Sequence, residues 1–105
     1  LNTVHQQMQK LLIDTEYALK QSGLWEADKP SKEALMSSQP FAVDSLHPEQ
    51  WLQWVFIPKM QQFVSLNQAL PAGFAISPYF EQTCQGKPEW IKVIRVLKEI
   101  DEVCA

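Results

Sequence analysis

At 105 residues the chain is the size of one domain with a single core. It is 46% hydrophobic and 20% charged, which excludes a disordered chain, and no run approaches the roughly 20 apolar residues of a membrane helix. Net charge is −3, with 9 basic residues against 12 acidic ones and a single arginine. That balance lacks the basic excess of a dedicated nucleic-acid binder, so direct nucleic-acid binding is not expected.

No linker, repeat or low-complexity segment interrupts residues 1–105, which read as a single domain. The chain opens on Leu1 rather than Met, which reads as a trimmed start. No basic-then-apolar export segment precedes the first helix, so the expected compartment is the cytosol. There Cys84 and Cys104 stay reduced and read as small buried hydrophobes, since two cysteines make no disulfide framework.

Residues 3–22 carry Val4, Met8, Leu11, Leu12, Thr15, Ala18 and Leu19 at three- and four-residue steps, the spacing of one helix face. Gly23 is a natural stop. Pro30, Ser31, Ser37, Ser38 and Pro40 punctuate residues 26–46, with a short helix expected over 31–36. "QPFAVDSL" is expected to run extended along the bundle, because a residue before proline is pushed from helical angles.

Pro48 starts the next helix at a position where a missing N–H costs nothing, and Glu49 suits the positive end of the dipole. It is read to about Leu66. "NQALPAGFAI" is a turn-rich connector in which Pro71 and Gly73 set a bend. Ser77-Pro78 repeats the start signal for a helix reaching about Cys84, Gly86 breaks it, and Pro88 opens the last helix. That helix carries Trp90, Val93, Ile94, Leu97, Ile100 and Cys104 on one stripe. Nothing reads as a strand pair. The expected fold is all-α, a compact bundle of about four main helices.

The helix from Pro48 is apolar nearly all round and holds Trp51 and Trp54, which makes it the expected core helix with the first and last packed on it. Pro58 lies inside it. A proline there lacks a donor and crowds the carbonyl one turn back, at a cost of roughly 3 kcal/mol. Burying a tryptophan removes on the order of 150–250 Å² from water, worth about 25 cal/mol per Å². A kinked central helix that lets flanking segments close over the rings is therefore accounted for by packing alone. The alternative makes the kink a small-molecule pocket near Trp51, Trp54 and Pro58, with Tyr79 and Glu81 nearby and an anion site at the helix start by Ser77.

No metal-ligand spacing, P-loop, dinucleotide turn or nucleophile elbow is present, and His5 and His47 stand far apart. No catalytic residue, metal or cofactor is assigned, and an enzyme is not indicated.

From Ser38 to Glu81 the segments "SSQPFAVDSLHPEQWLQWVFIPKM" and "LPAGFAISPYFEQ" closely resemble the YqcC-like family of bacterial proteins of about this length. The resemblance extends over nearly the whole chain and implies an all-helical bundle, with no established activity or catalytic residues. Members are sometimes labelled with the name tRNA pseudouridine synthase C. The resemblance implies a link through neighbouring genes, since such synthases resemble larger α/β folds around a catalytic Asp.

The leading functional expectation is a non-catalytic interaction or accessory module whose partner is another protein, with an RNA-modifying enzyme as the candidate. The expected surface combines 37–46 and 70–81, with Gln39, Phe41, Trp51, Trp54, Pro58, Phe74, Ser77, Tyr79 and Glu81 as candidate residues. A homo-oligomer, closing an apolar face with a second copy, also fits the sequence.

Overall fold

The computed structural model describes residues 3–105. Leu1, on which the reading of a trimmed start rests, lies outside them. Helix α1 spans Thr3–Gln21 and buries Met8, Leu11, Leu12, Thr15, Ala18 and Leu19, as their spacing predicts. Val4 is the exception, 40% exposed. His5 is buried instead, and its Nε2–H donates to the Gln68 carbonyl. Thr15 enters the core at little cost because its hydroxyl donates to the Leu11 carbonyl at 2.7 Å.

Gly23 ends α1 at φ +74°. The Leu24 N–H reaches the Leu19 carbonyl at 2.8 Å, and the Gly23 N–H reaches Lys20 at 3.2 Å. That pair of bonds needs a left-handed residue between helix and exit, a conformation glycine adopts without a side-chain penalty.

Helix α2, Lys32–Leu35, is one turn capped by the Ser31 hydroxyl, which accepts from the Ala34 N–H. The next segment departs from the extended path. Gln39 is extended, as the residue before Pro40 must be, but Pro40–Ala42 closes a 3₁₀ turn. Phe41 and Ala42 both take left-handed angles there, at φ 56° and 48°. The proline restriction acts one residue back and does not reach the residues beyond, which follow the turn.

Helix α3 covers 48–65 in three pieces: Pro48–Trp51, a π-helical segment Leu52–Phe56, and Ile57–Ser65. The Ile57 N–H bonds the Leu52 carbonyl five residues back. Pro58 thus follows a widened turn, which carries the preceding carbonyls away from its ring. Past the proline, Lys59, Gln61, Gln62 and Ser65 are exposed and give this half a polar face. The first helix packs on α3 as expected; the last helix, α5, packs chiefly on α1.

Helix α4, Ser77–Thr83, and helix α5, Ile91–Val103, complete the bundle, with a 3₁₀ turn Pro88–Trp90 leading into α5. Trp90, Val93, Leu97, Ile100 and Cys104 are buried on the expected stripe. Gly73, at φ +76°, donates its N–H to the Cys104 carbonyl at 2.7 Å and ties the connector to the end of α5. The described residues contain no strand. No helix among them is long and apolar enough to cross a membrane.

Candidate functional site

Three candidate residues from distant parts of the sequence meet in one aromatic cluster. The 3₁₀ turn presents Phe41, α3 presents Trp51 and α4 presents Tyr79. The Phe41 and Tyr79 rings stack at 4.0 Å between centroids and are 6° from parallel. Phe41 also meets Trp51 at 4.8 Å, and Trp51 stacks on Phe56 at 5.3 Å. Phe80 is fully buried beneath them and continues the cluster to Trp90 at 5.6 Å. Left-handed angles at Phe41 and Ala42 cost about 1–3 kcal/mol each, and they aim the Phe41 ring at Tyr79. Neither Phe80 nor Trp90 is among the residues that the sequence marks as a site. The sequence signal for both is their place in helical runs, which marks core.

Phe41, Trp51 and Tyr79 are half-buried, so the cluster reaches the surface without forming a large exposed patch. The apolar bulk outside it comes from Met36, 72% exposed, and Val43, 54% exposed. The loop carrying them is pinned from within. The Ser37 hydroxyl donates to Asp44, and the Ser45 hydroxyl donates to the Ala34 carbonyl at 2.7 Å.

The remaining candidates spread out. Gln39 is exposed, with its N–H on the Ser37 hydroxyl at 3.1 Å. Pro58 faces solvent. Trp54 is half-buried, and its Nε1–H is buried without a hydrogen-bond partner. Phe74 is half-buried against the core. Ser77 is buried, and Glu81 is exposed in an ion pair with Lys98 at 3.5 Å.

The start of α4 is not open to an anion. The Asp101 carboxylate accepts from the Ile76 N–H at 2.7 Å and from the Ser77 N–H at 2.9 Å. A carboxylate from α5 thus fills the position expected for an external anion, with the favourable charge for a helix start. A second internal clamp holds the exit of α1. The buried Gln53 accepts from the Glu26 N–H at 2.8 Å and donates to the Glu26 carbonyl at 2.7 Å.

Two grooves among the described residues are lined by residues outside the ring cluster. One, about 610 Å³, is a groove between α4 and α5, open to solvent and lined by residues that include Glu81, Cys84, Lys87, Ile91 and Arg95. Another, about 420 Å³, runs between α1 and α3 past Gln9, Ile13 and Gln61. Burial pushes the Cys84 thiol up to about 11; Lys87 opposes the shift, and Glu49 and Glu89 add to it. Burial also raises Cys104, with Asp101 beside it. Both are thus held as thiols near neutral pH and are poor nucleophiles. Among the described residues no group of three or more His, Cys, Asp or Glu is placed to hold a metal ion.

Comparison with known proteins gives the chain its relatives. A family model described as "tRNA pseudouridine synthase C" matches residues 7–103. An uncharacterized protein of Haemophilus influenzae is 36% identical over 102 residues, covering 97% of this chain and 92% of that one. The uncharacterized protein YqcC of Escherichia coli is 33% identical over 98% of this chain and 95% of its own. The solution NMR structure of E. coli YqcC superposes with a TM-score of 0.86 at 32% identity, covering 99% of this chain and 90% of that one. A third relative, tRNA pseudouridine synthase C of Pectobacterium carotovorum, is 43% identical over 65 residues, which are 62% of this chain and 17% of that protein. With the family model spanning residues 7–103 and two relatives matched nearly end to end, the chain belongs to the YqcC-like family.

Proposed function

We propose that the chain is a non-catalytic accessory module that docks on another protein, and that its partner is a tRNA pseudouridine synthase. The observation that carries this reading is the partial match to the Pectobacterium protein. A segment resembling this chain makes up 17% of a protein named for pseudouridine synthesis, whereas other relatives match it nearly end to end. A module found both alone and inside a longer protein is well suited to act beside that protein's remaining part. Cytosolic work fits both the tRNA link and two free cysteines.

The proposed docking face is formed by 37–46 and 70–81. Val43 within it and Met36 just ahead of it supply exposed apolar bulk, and Gln39, Phe41 and Tyr79 belong to it. Trp51 meets Phe41 in the ring cluster, Phe74 packs against the core and Ser77 is buried. The test is a pseudouridylation assay on tRNA with the chain alone, the synthase alone and both together. The chain alone should form no pseudouridine, and adding it should change the synthase's KM or kcat. Turnover by the chain alone would overturn the non-catalytic assignment, and an unchanged synthase would count against the partnership.

One observation favours the second reading, a small-molecule site near Trp51, Trp54 and Pro58. The buried Trp54 Nε1–H lacks an acceptor, and a ligand oxygen would supply one. Saturable tryptophan fluorescence changes with a metabolite fraction, lost in Trp54→Phe, would favour it.

A further inference from the structure

Four of the chain's nine basic residues, Lys87, Lys92, Arg95 and Lys98, fall within twelve positions that hold one acid, Glu89. In a chain of net charge −3 this is a local reversal of sign. On α5, Ile91, Ile94, Arg95 and Lys98 follow at helical spacing, so they share one face. That face and α4 form the walls of the 610 Å³ groove. Its floor is aliphatic: Pro88, Ile94 and Ile91, the last 59% exposed.

Among the described residues neither Lys87 nor Arg95 is in an ion pair. Lys98 is held by Glu81 from the opposite wall, with both side chains about half exposed. An exposed pair of this kind is weak and exchanges readily for another partner. Glu81 thereby occupies the position a partner's carboxylate would take. Exposed aliphatic floor with a cationic rim complements a segment that alternates apolar and acidic side chains. No aromatic ring lines the groove for bases to stack on, which disfavours single-stranded RNA. Its openness to solvent also disfavours a small ligand, which needs most of its surface enclosed.

We propose that the α4–α5 groove docks an acidic amphipathic segment of a protein partner, with aliphatic side chains on Ile91 and Ile94 and carboxylates on Arg95, Lys87 and Lys98. This deepens the accessory-module reading and rests on it: it adds a second surface and states the partner's chemistry.

The test is an NMR titration of the isotope-labelled chain with a synthetic helical peptide of leucine and glutamate, and with the same peptide carrying lysine for glutamate. The glutamate peptide should shift amides between 84 and 98, with affinity falling about tenfold or more in high salt and in Lys87→Glu/Arg95→Glu. Both positions are exposed, so the variant should keep the wild-type circular dichroism. Equal binding of the lysine peptide, shifts elsewhere, or stronger binding of an RNA oligonucleotide to the groove would overturn the proposal. The same variant is then mixed with the synthase. A complex that forms undiminished with Lys87→Glu/Arg95→Glu but is lost in Met36→Glu/Val43→Glu overturns the groove and leaves the accessory role standing. Peptide binding at the groove without a synthase complex does the reverse.

Discussion

Asp101 and Cys84 show how single side chains fix this fold from the inside. Asp101 satisfies the backbone N–H groups of Ile76 and Ser77, both buried residues, from a different helix. Asp101→Ala would leave those donors unpaired and should lower unfolding free energy by roughly 1–3 kcal/mol in urea denaturation. Cys84 acts through pH. Its folded pKa, about 11, exceeds the ordinary thiol value of 9.0, so the fold favours the protonated form. Below about pH 9 both states keep the proton and the contribution is complete. It is lost as pH rises towards 11, because the unfolded chain ionises first. The urea midpoint should therefore decline between pH 9 and 11, and less steeply in Cys84→Ala. The burial behind the Cys84 shift was legible in the sequence, whereas the Asp101 clamp was not. Asp101 reads there as a solvated charge, and only the tertiary fold brings it to the start of α4. Gln53 is a similar case: a polar residue in an apolar run, buried because the Glu26 backbone crosses above it.

At the scale of elements, regular helices were legible and deviations from them were not. The stripes of α1 and α5, the Gly23 stop, the short helix within 31–36 and the start at Pro48 follow from periodicity and local start and stop signals. The disturbance at Pro58 was legible, but its form was not, because a π turn depends on how the flanking side chains pack. The turn at Phe41 and Ala42 was hidden for the same reason: its left-handed angles are held by ring stacking with Tyr79, a residue far along the chain. The π turn gives α3 a testable property. A proline in a regular helix interior costs about 3 kcal/mol relative to alanine. Here the widened turn has already relieved the clash, so Pro58→Ala should stabilise the protein by well under about 3 kcal/mol. A gain of that full size in chemical denaturation would show that the proline is still strained.

For the whole molecule, the all-helical class and the family were both legible, because hydrophobic periodicity and long matched segments are properties of sequence. The site was legible only in part. Phe41, Trp51 and Tyr79 do come together, whereas Pro58 and Gln39 point to solvent and Glu81 faces the α4–α5 groove. The basic run 87–98 is present in the sequence, but net charge averages it away, and the groove beside it exists only once α4 and α5 pair. What the two proposed surfaces share is exposed apolar side chains, Met36 and Val43 on one and Ile91 on the other. The most direct measurement is the mass, by light scattering during size exclusion, of the chain mixed at micromolar concentration with the tRNA pseudouridine synthase of its host bacterium. One species with the summed mass of both proteins is expected, disrupted by Met36→Glu/Val43→Glu. Separate elution of the two proteins would contradict the partnership.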